Sequence, residues 1–169
     1  MKKLLLVVLI AAGLTSCTEQ KTAYVDTTKI IKEYREMKEV EEEFTSKSDK
    51  VKIELDSLAQ SFQKEVQEYQ ANMNGMSTAQ RQEKEQELMA KQQTIQQQQQ
   101  TMGNQLRQES DVVIDSIVTK VKEYVKEYGK DNDYTYIFGS NESANIMYAK
   151  DGLDITEEIL EKLNESYEK

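Results

Sequence analysis

Apolar residues recur along the middle of the chain at helical spacing. Ile30, Tyr34, Met37 and Phe44 mark a first stripe; Val51, Leu55, Leu58, Phe62, Val66, Tyr69 and Met73 continue it at steps of 4, 3, 4, 4, 3 and 4. That is an eleven-residue repeat, with a period of about 3.67 residues per turn, so the stripe drifts little on a nearly straight helix. The intervening positions are mostly Glu, Lys, Gln and Ser, which water can solvate. The pattern predicts a helix over 29–73. A second stripe, Leu88, Ile95, Met102, Leu106, Val113, Ile117, Val121, Tyr124 and Tyr128, predicts another over 78–128. Between them, Asn74 and Gly75 suit the left-handed conformation that closes a helix. Ser77-Thr78-Ala79-Gln80 reads as a capping box that starts the next. So short a link makes the two helices antiparallel. A hairpin centred near residue 75 sets Phe62 against Leu88, Leu55 against Ile95 and Phe44 against Leu106.

The flanks alternate differently. Ala23-Tyr24-Val25-Asp26-Thr27 reads as a strand, with Thr27 or Thr28 capping the helix after it. Gly129 is expected to end the second helix, and Asp131-Asn132-Asp133 to turn the chain. Tyr134–Phe138 and Asn145–Ala149 read as a β-hairpin. Thr156 is expected to cap a short last helix, with Glu157 and Glu158 in its first turn, where the helix dipole favours acids, and Ile155, Ile159, Leu160 and Leu163 facing inward. The expected fold class is mainly α with a small β body (α+β). Residues 23–36 and 113–169 form a body with three strands per chain, and 37–112 form a helical arm. The 37 residues from Met37 to Met73 would give an arm of roughly 55 Å at the α-helical rise.

Composition supports an elongated helical protein. Of 169 residues 37% are hydrophobic and 31% charged, and there is no proline to break a long helix. The glutamine run 96–100 suits either a low-complexity tract or a solvated helix face; because glutamine is a good helix former, we read it as the latter. Net charge is −9, which argues against nucleic acid as a partner, since phosphate contact needs a basic face. High net charge also helps keep a protein soluble.

The first sixteen residues do not belong to the fold. Lys2 and Lys3 precede an apolar run, Leu4–Ala12, too short to span a bilayer, and then comes Leu14-Thr15-Ser16-Cys17. This order reads as a signal peptide, and its end resembles a lipobox. Cys17, the only cysteine, is the expected lipidation site, with 17–22 a linker. Several acyl chains at about 0.8 kcal/mol per buried methylene make a stable anchor. Loss of residues 1–16 removes two lysines and takes the net charge to −11.

Nothing in the sequence points to catalysis, a metal or a cofactor. Histidine is absent, the one cysteine is assigned to lipid, and there is no glycine-rich phosphate loop. Asp131-Asn132-Asp133 lacks EF-hand spacing and its terminal glutamate.

The order of these segments resembles the Skp/OmpH family. Ala23-Tyr24-Val25-Asp26-Thr27 before Lys29-Ile30-Ile31-Lys32-Glu33-Tyr34, the Gln/Glu/Lys-rich hairpin, Tyr134–Phe138, Ile146–Ala149 and Gly152-Leu153-Asp154-Ile155-Thr156 carry the likeness over residues 22–164. The resemblance implies a homotrimeric, ATP-independent periplasmic holdase. Three bodies would share a β-barrel-like core, and three arms would enclose unfolded outer-membrane proteins. Tyr24, Tyr136 and Phe138 then become candidates for the trimer core. Tyr69, Met73, Met76 and Met89 gather near the arm tip, where they either pack the end of the hairpin or meet clients through adaptable methionine contacts. The expected partners are unfolded β-barrel proteins, two further copies of the chain, and the inner or outer membrane through the lipid. The competing reading is a coiled-coil spacer lipoprotein of the envelope, which would need the hairpin but no strand body.

Two departures from the family stand out. Many members carry a proline after the tyrosine that matches Tyr34, where this chain has Arg35. The arm tip is acidic: between 64 and 87, Lys64, Arg81 and Lys84 face Glu65, Glu68, Glu83, Glu85 and Glu87. Such a tip is a poor site for anionic lipid.

Overall fold

A computed structural model describes residues 20–141, 143 and 145–167. The segment expected to be a signal peptide, and Cys17, lie outside the described residues. In order the chain forms β1 (Thr22–Asp26), α1 (Thr27–Glu33), α2 (Arg35–Asn72), a 3-10 turn (Met73–Gly75), α3 (Thr78–Asp131), β2 (Tyr136–Ser140) and α4 (Thr156–Ser166). It divides into two compact units: a body of residues up to Lys32 and from Val121 onward, and a hairpin of Glu33–Lys120. Among the described residues no helix is long and apolar enough to cross a membrane.

In the body, β1 pairs with β2 in parallel, Thr22 opposite Tyr136 and Tyr24 opposite Phe138. Parallel neighbours need a long crossover, and the residues between the strands supply it. The other edge of β1 is also taken: the Tyr24 N–H donates to Leu153 O (2.9 Å) and the Ile155 N–H to Tyr24 O (3.0 Å). The expected β-hairpin is not formed: β2 takes β1 as its partner, and 145–149 is irregular, leaving Met147 and Tyr148 exposed. Among the described residues there are two strands, not three.

One face of this small sheet is covered. Ala23 and Val25 are buried with Ile30, Val121, Ile155, Ile159, Leu160 and Leu163. The inward face expected of α4 is therefore the face that packs. The caps differ from expectation. Asp26, one residue before Thr27, accepts from the Lys29 N–H (2.9 Å) and caps α1; the Thr27 hydroxyl instead donates to Ser140 O (2.8 Å) and ties α1 to β2. Asp154 takes the role expected of Thr156, accepting from the Thr156 N–H (2.9 Å) and its hydroxyl. Thr156 Oγ1 in turn accepts the Asp26 N–H at 2.8 Å.

Gly129 does not end the second helix. Helix α3 continues to Asp131, and the left-handed residue that turns the chain is Asp133 (φ 58°). The Tyr134 N–H then reaches back to Gly129 O (2.9 Å). Gly129 serves a different need: a β-carbon there would sit 3.2 Å from Ile137 Cδ1, so its missing side chain lets β2 pack closely on the helix.

In the hairpin, the helix expected without a break over 29–73 is interrupted at Tyr34 (φ −62°, ψ 128°). This is the extended conformation that a following proline imposes, reached here without one. Tyr34 is 1% exposed, and its hydroxyl donates to Glu36 (2.8 Å), which also pairs with Lys120. At the turn, neither Asn74 nor Gly75 is left-handed. The chain closes by 3-10 geometry, the Met76 N–H meeting Met73 O at 3.3 Å. That extra half-turn moves the pivot. Tyr69 meets Glu85, Glu65 meets Lys91, Lys47 meets Glu109 and Glu36 meets Lys120. The midpoints of these pairs fall at 77 or 78 rather than 75, so the residue pairs expected across the hairpin are displaced accordingly.

Candidate functional site

Two surfaces carry the residues singled out from the sequence. The first is the turn end of the hairpin. Ser77 and Gln80 form the expected reciprocal cap, with the Ser77 N–H donating to Gln80 Oε1 (2.9 Å) and the Gln80 N–H to Ser77 Oγ (3.3 Å). This starts α3 directly after the turn, where Met73 and Met76 are both half-buried and the Met73 N–H donates to Tyr69 O. Tyr69 donates to Glu85 (2.6 Å). That hydrogen bond, with burial and the Glu85 charge, pushes the phenol above its ordinary pKa, while Arg81 opposes the shift. Leu88 packs inward at 8% exposed. Met89 is not brought to the turn. It lies eleven residues into α3, roughly 16 Å along the axis at the α-helical rise, and is 62% exposed.

Charges at this end are largely paired. Lys84 meets Glu87 (2.9 Å), Lys64 approaches Glu68 (3.8 Å), and Lys91 holds Glu65. The Lys91 hydrogen bond depresses the Glu65 carboxyl against an opposing effect of burial. These pairs leave little cationic surface to attract anionic lipid, in keeping with the acidic tip read from the sequence.

Removing the cap isolates its contribution. Ser77→Ala is expected to cost about 1 kcal/mol of local stability. Amide exchange of residues 77–81 should speed up about five-fold, as read by hydrogen–deuterium exchange, with the body unchanged.

The second surface is the outer face of the sheet. In a parallel pair, residues in register point the same way, so Tyr24, Tyr136 and Phe138 share the face opposite Ala23 and Val25. Tyr136 and Phe138 are 56% and 51% exposed and stack on each other with centroids 5.7 Å apart. Tyr24 is half-buried and engaged within its own chain: burial, the Asp154 charge and a hydrogen bond to Asp154 push its hydroxyl up. Burial opposes ionisation of Asp154, but Thr156, Tyr24 and Lys29 outweigh it and hold the carboxyl below its ordinary value.

Strand β2 has one open edge, and after it in the chain Met147 and Tyr148 are 89% and 82% exposed. Strand β2 has no charge and no proline to protect that edge. Sequence reasoning assigned Met147 and Tyr148 to a paired strand and so missed them as surface. It also passed over Ile53, 68% exposed; the signal was available, because Ile53 lies off the apolar stripe. Val112, another off-stripe residue, is 64% exposed. Among the described residues no group of three or more His, Cys, Asp or Glu could hold a metal ion.

The model of one protein family, outer membrane protein (OmpH-like), matches residues 21–163. Among solved structures, the crystal structure of a candidate outer membrane chaperone (OmpH-like) from Caulobacter crescentus CB15 aligns with a TM-score of 0.79 at 13% identity. The alignment covers 92% of this chain and 90% of that one. At that identity the likeness shows the fold. None of the curated proteins compared matches the sequence.

Proposed function

Because this chain belongs to the OmpH-like outer membrane protein family, we propose that it is an ATP-independent holdase of the periplasm that keeps unfolded outer-membrane β-barrel proteins from aggregating. The observation that carries this reading is the hairpin itself. Its apolar stripe is mostly half-buried along its length, and it leaves Ile53, Met89 and Val112 largely in water. Scattered apolar contacts on a strongly solvated scaffold suit a client with no fixed shape, and methionine adapts to many partners. High net charge keeps such a complex soluble.

The assembly we propose is a homotrimer built on the uncovered sheet face and open edge of β2. Tyr136 and Phe138 would enter a shared core, beside Tyr24. The number of copies comes from the family resemblance, and the uncovered aromatic pair supplies the reason to assemble. Three hairpins would then bind one client by avidity, each weak contact raising the effective concentration of the next. The body would include the chain segments on either side of the hairpin; Tyr69, Met73 and Met76 would meet clients at the turn end and Met89 farther along α3. We further propose that Cys17 carries a lipid anchor to the inner or outer membrane. A spacer lipoprotein would have no use for an uncovered aromatic sheet face.

Light-scattering mass measured on a soluble form starting at Thr18 tests the assembly. We expect three chains per particle, and one client added per three chains when a β-barrel protein is diluted from urea. A monomer that takes up no client would contradict the proposal.

A further inference from the structure

The two helices of the hairpin are clasped near both ends and not between. Toward the turn, Tyr69 donates to Glu85 and Lys91 holds Glu65; toward the other end, Lys47 pairs with Glu109 (3.8 Å) and Lys120 with Glu36. Among the described residues no hydrogen bond or ion pair joins α2 to α3 across 48–64 and 92–108. Apolar contact in this stretch is partial: Val51, Leu55, Phe62, Ile95, Met102 and Leu106 are half-buried. An open groove of about 270 Å³ lies against Val51, Met102 and Leu106.

Gly103 sits in the middle of this unclasped stretch. Glycine in a helix interior is unfavourable relative to alanine, because it gives up more backbone freedom on folding. Two other glycines have a local reason: Gly129 makes room for Ile137, and Gly152 is left-handed (φ 83°), while Gly75 lies in the turn outside a helix interior. Gly103 has neither. It is helical, its φ is negative, and a β-carbon built on it would meet nothing within 4 Å. Packing and backbone geometry would both accept alanine. What glycine supplies here is a weak point in a long helix, roughly 1 kcal/mol less favourable than alanine.

We infer that Gly103 is a bending joint of the hairpin, free to act because the helices are not tied to each other on either side of it. The inference does not depend on the chaperone reading. Its use would be to let the turn half of the hairpin move against the root half.

The test is a spin-label distance distribution on the soluble form starting at Thr18, which lacks Cys17 and so has no native cysteine. Labels are placed at Gln86→Cys and Ser116→Cys, both exposed and about 45 Å apart along a straight helix. The unaltered joint should give a broad distribution. Gly103→Ala should narrow it, the bent population falling about five-fold, while Thr94→Ala, which raises helix propensity between the labels but away from the joint, leaves the width unchanged. A single narrow distance in the unaltered joint would overturn the inference. So would an unchanged width in Gly103→Ala, or equal narrowing by Thr94→Ala.

Discussion

Replacing Tyr136 and Phe138 together by aspartate is expected to convert a three-chain assembly into folded monomers. Both rings are about half exposed in the single chain and stack only on each other, so each chain can accept the change at little cost to its own fold. Exposed substitutions of this kind usually stay within about 0.5 kcal/mol. In the assembly the balance reverses. Burying each aromatic side chain contributes about 1.5–3 kcal/mol, and this is lost twice per copy. Carboxylates brought together in a shared core would then have to be desolvated without partners. A rise in the dissociation constant of at least about a thousand-fold follows from the lost burial alone. Sedimentation should show one chain per particle, with the helical circular dichroism retained. A variant that still sediments as three chains would place the assembly surface elsewhere.

The second large effect is on folding of the body. Ile159 is 0% exposed and lies among Ile155, Leu160 and Leu163 on the inward face of α4. Ile159→Ala removes buried methylenes and leaves a cavity, at a cost of about 2–5 kcal/mol. In a unit of this size that lowers the melting temperature by roughly 10 °C or more. Ile53→Ala, on a residue 68% exposed, serves as the control and should melt within a degree or two of the unaltered chain. Thermal melts followed by circular dichroism separate the two. A small shift for Ile159→Ala would mean that α4 is not part of the body core.

The hairpin was legible because its signals are local and repeated. A stripe at fixed spacing, a capping box and an inward face on α4 each follow from a few neighbouring residues, and each is present in the fold. The misreadings have a common origin in contacts far apart in sequence. Gly129 carries a helix-ending residue type, but Ile137 decides its role, and the turn falls to Asp133. Thr27 carries a capping hydroxyl, but Ser140 competes for it and Asp26 takes the cap. Tyr134–Phe138 and Asn145–Ala149 have the composition of a hairpin, yet β2 finds its partner in β1, more than a hundred residues away, and 145–149 stays irregular. The break at Tyr34 had no proline to announce it; the burial of its ring and the Glu36–Lys120 pair hold it instead. The pivot at 77–78 depended on three residues choosing 3-10 over left-handed geometry, which composition does not reveal. Of the candidate site, Tyr24, Tyr136 and Phe138 were singled out by alternation, but it is the parallel register that puts them on one face. The exposure of Met147 and Tyr148 was not legible, because their composition suits a strand that does not form.

The central claim is that this protein holds unfolded outer-membrane proteins, and a holdase assay tests it most directly. A urea-unfolded β-barrel protein is diluted with and without the soluble form starting at Thr18, and light scattering is followed in the absence of ATP. The account predicts suppressed aggregation that saturates at about three chains per client. Unchanged scattering from a protein that is folded and helical would contradict it.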